Sequence, residues 1–335
     1  MGIRLLPLNA LFFVCSSFTF AAFAQEKTAD TKLPELVTPA ISQAIDEGVE
    51  FLLEGQVDDG SFGQSGGSHR VGTSALCGIA LLGEYQREEN TELKDAIRSC
   101  AEYLLLKQKN NGLIAGPSGV LYEHAYALQF LGAFQQQFPE DSVKKALSRA
   151  ANCSASAQNE TGGWRYMLGS KDADSSATAC QLVGLLAAQK AGIEELDGCI
   201  QRGVDYLESC QLEDGSFAYI QGVKSKAALP RSAAAMAVLL QVDKADKAVV
   251  RSGQKFLQNA TPDFNAHFFY GEYYQGISWL NAKPKKFRTW YKKTADQIVE
   301  MRGEQKHWTS KIANNEYATA AACITLLSPY QLETN

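Results

Sequence analysis

Apolar residues recur along this chain at helical spacing, and two kinds of stretch alternate. In the first kind one face alone is apolar. Ile41, Ala44, Ile45, Gly48, Val49 and Leu52 form one such face, and Leu93, Ala96, Ile97, Cys100, Ala101 and Leu104 another. Both follow the i, i+3, i+4, i+7 spacing of a one-faced helix. In the second kind nearly every position is apolar, over residues 73–83, 125–134, 176–188, 232–241, 274–280 and 318–327. A helix apolar on most faces must be buried on several sides. The alternation therefore predicts two concentric rings, with one-faced helices outside and all-round helices inside. No window alternates with period two well enough to compete as a strand.

Between the two kinds of stretch a motif returns about every fifty residues. It reads Gln56-x-x-Asp59-Gly60-Ser61-Phe62, then Gln108-x-x-Asn111-Gly112, then Gln158-x-x-x-Gly162-Gly163-Trp164, then Gln211-x-x-Asp214-Gly215-Ser216-Phe217. Such a period marks stacked units, because one unit cannot bury its own apolar face. The motif glycine is expected to end the preceding helix in the left-handed conformation. Units begin near residues 40, 92, 142, 195, 246 and 288, and the fifth and sixth have lost most of the Gln–Gly motif. Six helical hairpins close into a barrel; an open superhelix is the alternative.

The ends and the composition narrow the setting. Residues 1–24 read as a signal peptide: Arg4, an apolar run from Leu5 to Phe20, and the small-x-small site Ala22-Phe23-Ala24. Residues 25–39 read as a flexible leader, and 40–330 as the folded domain. The expected location is periplasmic or secreted. Lys and Arg total 32 against 37 Asp and Glu, a formal charge of −5 that becomes −6 once Arg4 leaves with residues 1–24. An acidic surface argues against nucleic acid as a partner, and no later segment is apolar enough to span a bilayer. Seven cysteines stay in the mature chain, an odd number. Core thiols are expected, with a Cys153–Cys210 bridge as the open alternative.

The motif, with Arg202-Gly203-x-x-Tyr206-Leu207 ahead of its fourth copy, resembles the QW repeat of squalene and terpenoid cyclases. Over residues 40–330 the chain is similar to the prenyltransferase and squalene-oxidase repeat proteins. The stretches Gly163-Trp164-Arg165-Tyr166 and Tyr270-Gly271-Glu272-Tyr273-Tyr274 look like exported bacterial members of that group. The resemblance implies an all-α (α/α)6 toroid in which the repeat glutamines tie outer helices together. It also implies a site at the starts of the inner helices, on one rim of the barrel. The rim segments are then Ser68 to Arg70, Tyr122 to His124, Asp172 to Ser175, Arg231, Tyr270 to Tyr273, and Asn315 to Tyr317.

Asp172-Ala173-Asp174-Ser175-Ser176-Ala177 resembles the Asp-x-Asp-Asp-Thr-Ala acid motif of class II terpene cyclases, with Ser175 in place of the last Asp. Clustered carboxyls raise one another's pKa and supply a strong acid in a dry site. Asp172 and Asp174 are therefore the candidate catalytic pair. The other reading of Asp174 and Ser175 is an N-cap. Tyr122, His124, Trp164, Tyr166, Arg231, Tyr270, Glu272 and Tyr273 are candidate ligand-binding residues. A zinc site like that of protein prenyltransferases lacks its Asp-x-Cys ligands, and neither metal nor cofactor is implied. Aromatics crowd unit five, where π faces would suit carbocations, isoprenoids or sugars. The expected function is a toroid that binds an isoprenoid or other apolar molecule. The alternatives are an exported carbohydrate-active (α/α)6 enzyme, with Tyr122, His124, Arg231 and Glu272 converging, and a non-catalytic interaction scaffold.

Overall fold

The computed structural model describes residues 34–63, 69–261 and 267–332. The expected signal peptide, most of the leader and Ser68 lie outside the described residues. The outer helices are α1 (Pro39–Gly55), α3 (Thr91–Leu106), α5 (Asp141–Ala157), α7 (Asp197–Ser209), α9 (Lys247–Asn259) and α11 (Pro284–Arg302). The inner helices are α2 (Arg70–Arg87), α4 (Leu121–Gln137), α6 (Ser175–Lys190), α8 (Leu229–Leu239), α10 (Phe268–Leu280) and α12 (Asn315–Leu332). No strand forms among the described residues; three isolated bridges sit in the turns.

Each inner helix packs on the next, and α12 packs back on α2, so the inner ring is closed. Outer helices lie against the inner ring, and α1 bridges α12 and α2. The all-α toroid expected from the sequence is thus the fold, and the open superhelix is excluded. The outer helices bury the predicted faces: α1 buries Ile41, Ala44, Ile45, Gly48, Val49 and Leu52. The inner helix α6 buries twelve of its sixteen residues, as an all-round apolar sequence requires. Thr38, Asn90, Asp174 and Asp246 cap helices with side-chain oxygens that accept backbone N–H groups.

The repeat motif works differently from the expectation in one respect. The outer helix stops before or at the glutamine, and the glycine lies in the turn that follows. Gly60 has φ +81°, its N–H donates to the Val57 carbonyl at 2.7 Å, and a Cβ there would sit 2.1 Å from the Ser99 carbonyl oxygen of α3. Both constraints demand glycine. The Gln56 amide donates to the Gly60 carbonyl at 3.0 Å and to the Ala96 carbonyl of α3 at 2.9 Å. Gln108, Gln158 and Gln211 repeat this, reaching Ala146, Cys199 and Val249 of the next outer helix at 2.8, 2.9 and 2.8 Å.

Unit six retains more of the repeat than its sequence suggests. Trp308 is buried, its indole N–H donates to the Ile298 carbonyl at 2.7 Å, and it packs on Gly48 of α1. Trp164 does the same three units earlier, donating to the Ser154 carbonyl at 2.8 Å and packing on Gly203 of α7.

All seven cysteines described are free and buried, and Cys153 and Cys210 are not bonded to each other. Burial pushes the Cys180 thiol up to about 12 and those of Cys199 and Cys210 to about 11, so these are unreactive core thiols at neutral pH.

Candidate functional site

The starts of the six inner helices surround a cavity of about 550 Å³. Six tyrosines line it: Tyr122 and Tyr126 from α4, Tyr270 from α10, Tyr317 from α12, and Tyr166 and Tyr219 from the turns before α6 and α8. His69, Glu123 and Arg231 add polar groups. A second cavity, of about 340 Å³, opens at the other end of the ring and is lined by Gln129, Lys190, Gln241 and Tyr273 among others. Between the two lies a layer of packed rings. The Tyr126 and Tyr273 centroids are 6.3 Å apart, those of Tyr273 and Tyr274 4.9 Å, and the Tyr273 hydroxyl donates to Gln129 at 2.5 Å. The barrel is therefore a cup with a floor rather than a pore.

The electrostatics of the cup centre on Glu123, which is 2% exposed. Its Oε2 accepts the Gly116 N–H at 2.9 Å. Its Oε1 has no close hydrogen-bond partner among the described residues; it stands 3.9 Å from His69 Nδ1, and the Val71 and Gly72 N–H groups at the start of α2 also favour its charge. Burial raises its pKa above the ordinary carboxylate value, with the Gly116 N–H and His69 opposing. The result is a buried carboxyl at the cavity wall, beside the first turn of α2. Arg231 is held by its own backbone surroundings, donating through Nε to the Phe217 carbonyl at 2.6 Å and also to the Lys226 carbonyl. Arg165 lies 4.8 Å and 5.2 Å from the ring centres of Tyr166 and Tyr219, a cation–π clamp that fixes one side of the mouth. The hydroxyls of Tyr166 and Tyr219 meet each other.

Four of the ligand-binding residues expected from the sequence come together here: Tyr122, Tyr166, Arg231 and Tyr270. The others are placed elsewhere. Asp174 is wholly buried and caps α6, its Oδ1 accepting the Ala177 N–H at 2.8 Å, while its Oδ2 pairs with Arg165 at 3.2 Å. Asp172 is exposed and pairs with Arg165 at 3.4 Å. Neither lines the cavity. Trp164 is a buried inter-unit packing residue. Glu272 points behind α10, accepting from Trp290 Nε1 at 3.1 Å and Thr294 Oγ1 at 3.3 Å of α11. Tyr273 belongs to the floor and the lower cavity.

His124 has a structural place common to the repeats. Its Nδ1 accepts the Ile114 N–H at 3.0 Å, where Ser74, Thr178, Ser232 and Thr319 accept the equivalent N–H of Phe62, Trp164, Phe217 and Trp308 at 2.9 to 3.1 Å. Its Nε2–H then donates to the Ala150 carbonyl at 3.1 Å. Complete burial pushes its pKa down to about 4, so it is neutral at physiological pH. His124→Ala leaves a buried donor and a buried acceptor without partners. We expect a loss of about 2–4 kcal/mol in unfolding free energy, measured by urea denaturation, with ligand uptake by the cup unchanged.

The sequence reading did not include Tyr126 or Tyr219, and it passed over Arg165 inside a stretch it had singled out. Among the described residues, no group of three or more His, Cys, Asp or Glu side chains could hold a metal ion. No described helix is long and apolar enough to cross a membrane.

Fold and site together define an α/α toroid with a tyrosine-lined cup. Residues 75–231 match the family model of the squalene-hopene cyclase C-terminal domain, and residues 18–120 match that of the prenyltransferase alpha-alpha toroid domain. The resemblance to prenyltransferase and squalene-oxidase repeat proteins is thereby borne out. No curated protein sequence matches the chain. Among solved structures, the α-1,6-mannanase GH76A of Salegentibacter sp. HEL1_6 superposes with a TM-score of 0.68 at 9% identity, covering 87% of this chain and 99% of that one. The type II terpene cyclase MstE from Scytonema superposes with a TM-score of 0.63 at 14% identity, covering 89% and 99%. Another MstE structure holds the substrate geranylgeranyl dihydroxybenzoate. At these identities the likeness establishes the shared toroid.

Proposed function

We propose that this protein binds an isoprenoid, or a similar apolar molecule with one polar end, in the tyrosine cup. The observation that carries the reading is the cup itself: six tyrosines around a single buried carboxyl. Its volume of about 550 Å³ falls within the ~300–1,000 Å³ of small-molecule sites. Tyrosine rings offer apolar area and π faces to an unsaturated chain, while Glu123 Oε1 and His69 are placed to meet the polar end. Burial raises the pKa of this carboxyl; in its protonated form it can donate to a hydroxyl or carbonyl, and in its ionised form it accepts. MstE, a fold relative, takes a geranylgeranyl compound as substrate, which supports an isoprenoid over other apolar ligands. Cyclase-type acid chemistry at Asp174 is not part of this reading, since that carboxyl is committed to a helix cap and to Arg165. We place the protein outside the cytoplasm on the strength of residues 1–24.

Glycoside hydrolysis finds less support. It needs two carboxyl groups flanking the substrate, and Glu123 is the one acid among the described lining residues. The four residues on which the carbohydrate reading depended do not converge, because His124 and Glu272 face away from the cup.

The test is uptake of farnesol, geranylgeraniol and squalene, followed by tyrosine and tryptophan fluorescence and by native mass spectrometry. Saturable uptake of at least one is expected. Tyr270→Ala should weaken it about tenfold, the value of ~1.4 kcal/mol in lost ring contact. If none of the three is taken up, the isoprenoid reading is wrong.

A further inference from the structure

A third cavity, of about 470 Å³, lies between α9, α10 and α11 on the outside of the toroid, away from the cup. Among the described residues no repeat glutamine spans this junction. Gln56 and Gln158 occupy the C-cap positions of α1 and α5 and reach the next outer helix. Ala260 occupies the C-cap of α9 with the same extended backbone, and it lines the cleft. Its methyl group cannot bridge to α11. The hydrogen bond observed across this junction runs instead from Lys286 to the side chain of Gln254, at 3.1 Å.

The cleft has a particular chemistry. Leu257, Trp279 and Trp290 form an apolar floor, and the two tryptophans are 2% and 8% exposed. Lys283, Lys285, Lys286 and Lys293 line its edge. Residues 283–293 carry six basic side chains and no acidic one, in a chain whose net charge is −5. None of the four lysines forms an ion pair with a described carboxylate. The Trp279 indole N–H is buried and has no acceptor among the described residues. A buried donor without a partner costs free energy that an acceptor atom would recover.

We propose that this cleft is a second binding site, specific for an organic anion that joins a phosphate, sulfate or carboxylate head to an apolar body. Lysines supply mobile ammonium donors to the head, and the tryptophan floor takes the body. The ligand differs in kind from that of the cup, whose lining carries a carboxyl, so the two sites stand or fall separately.

The experiment titrates the full protein with decyl phosphate, decanol and inorganic phosphate, followed by calorimetry and tryptophan fluorescence. Decyl phosphate is expected to bind saturably, with decanol and inorganic phosphate each weaker by about tenfold or more, since each lacks one of the two contacts. Lys285→Glu combined with Lys286→Glu should abolish decyl phosphate binding without altering uptake by the cup. Lys283→Gln combined with Lys285→Gln, which spares the Lys286 bond, should weaken it. Tyr270→Ala, which alters the cup, should leave it intact. The proposal fails if decyl phosphate does not bind, if decanol binds as well, or if Tyr270→Ala removes the binding and the lysine variants do not.

Discussion

Trp308→Ala is expected to lower the unfolding free energy by about 3–5 kcal/mol, the range for removing a large buried aromatic side chain. Trp308 is 1% exposed, its backbone N–H donates to Thr319 Oγ1 at 3.1 Å, and its ring rests on Gly48. It stands where the last unit meets the first. A toroid gains its final inter-unit interface only when that seam closes, and α1 packs there against α11 and α12 of the last unit. The seam also carries the Arg302–Glu47 and Lys306–Glu50 ion pairs and the stacked rings of Phe51 and His307, 4.6 Å apart. The ion pair of Lys306 and Glu50 is exposed and contributes little, so the indole should dominate. Urea denaturation measures the loss. Hydrogen exchange should show α1 losing protection more than α5, which keeps neighbours on both sides. A variant within about 1 kcal/mol of the parent would mean that the seam is held by something other than this side chain.

The architecture was legible because it rests on period alone. The outer helices begin at residues 39, 91, 141, 197, 247 and 284, against expected starts of 40, 92, 142, 195, 246 and 288. The inner helices begin at 70, 121, 175, 229, 268 and 315, between one and six residues earlier than their apolar runs. Their first turns form the cup, and Tyr122, Glu123 and Arg231 interrupt the apolar pattern there. Trp308 escaped because the segment ahead of it, Gly303-Glu304-Gln305, does not reproduce the Gln–Gly spacing.

The site was half legible. Equivalence of the repeats expects Tyr122, Arg231 and Tyr270 near one rim, and all three line the same cavity. What it left out is that successive helical residues turn by about 100°, so neighbours in sequence face different ways. Tyr270 faces the cup while Glu272, two residues on, faces α11; Glu123 lines the cup while His124 reaches back to α5. The acid motif has a second reading, which the placement of Asp174 at the start of α6 illustrates. Asp at the start of a buried helix satisfies orphan N–H groups whether or not it does chemistry, and here Arg165 completes its charge. Tyr219 comes from a loop, where no periodicity marks a residue as inward-facing.

Glu272→Gln should stabilise the protein at neutral pH. The Glu272 carboxyl is 2% exposed, and burial pushes its pKa from 4.5 up to about 7, even though Trp290, Thr294 and Gln275 donate to it. Below about pH 4 both the folded and unfolded chains hold the proton, and the residue has no pH-linked cost. Between the unfolded pKa near 4.5 and the folded value near 7, the unfolded chain ionises first and stability falls. Above pH 7 both are ionised and the loss is complete. The difference of about 2.5 units amounts to roughly 3 kcal/mol. A glutamine keeps an oxygen for Trp290 and Thr294, and the Gln275 amide can turn to accept from the new NH2. Denaturation at pH 4, 6 and 8 should therefore show a gain that grows from near zero to about 3 kcal/mol. Burial also raises the carboxyls of Glu84, Glu123 and Asp174, so both proteins will lose some stability as pH rises. The contribution of Glu272 is the difference between their two slopes, and parallel slopes would show that its carboxyl is ionised in the fold at little cost.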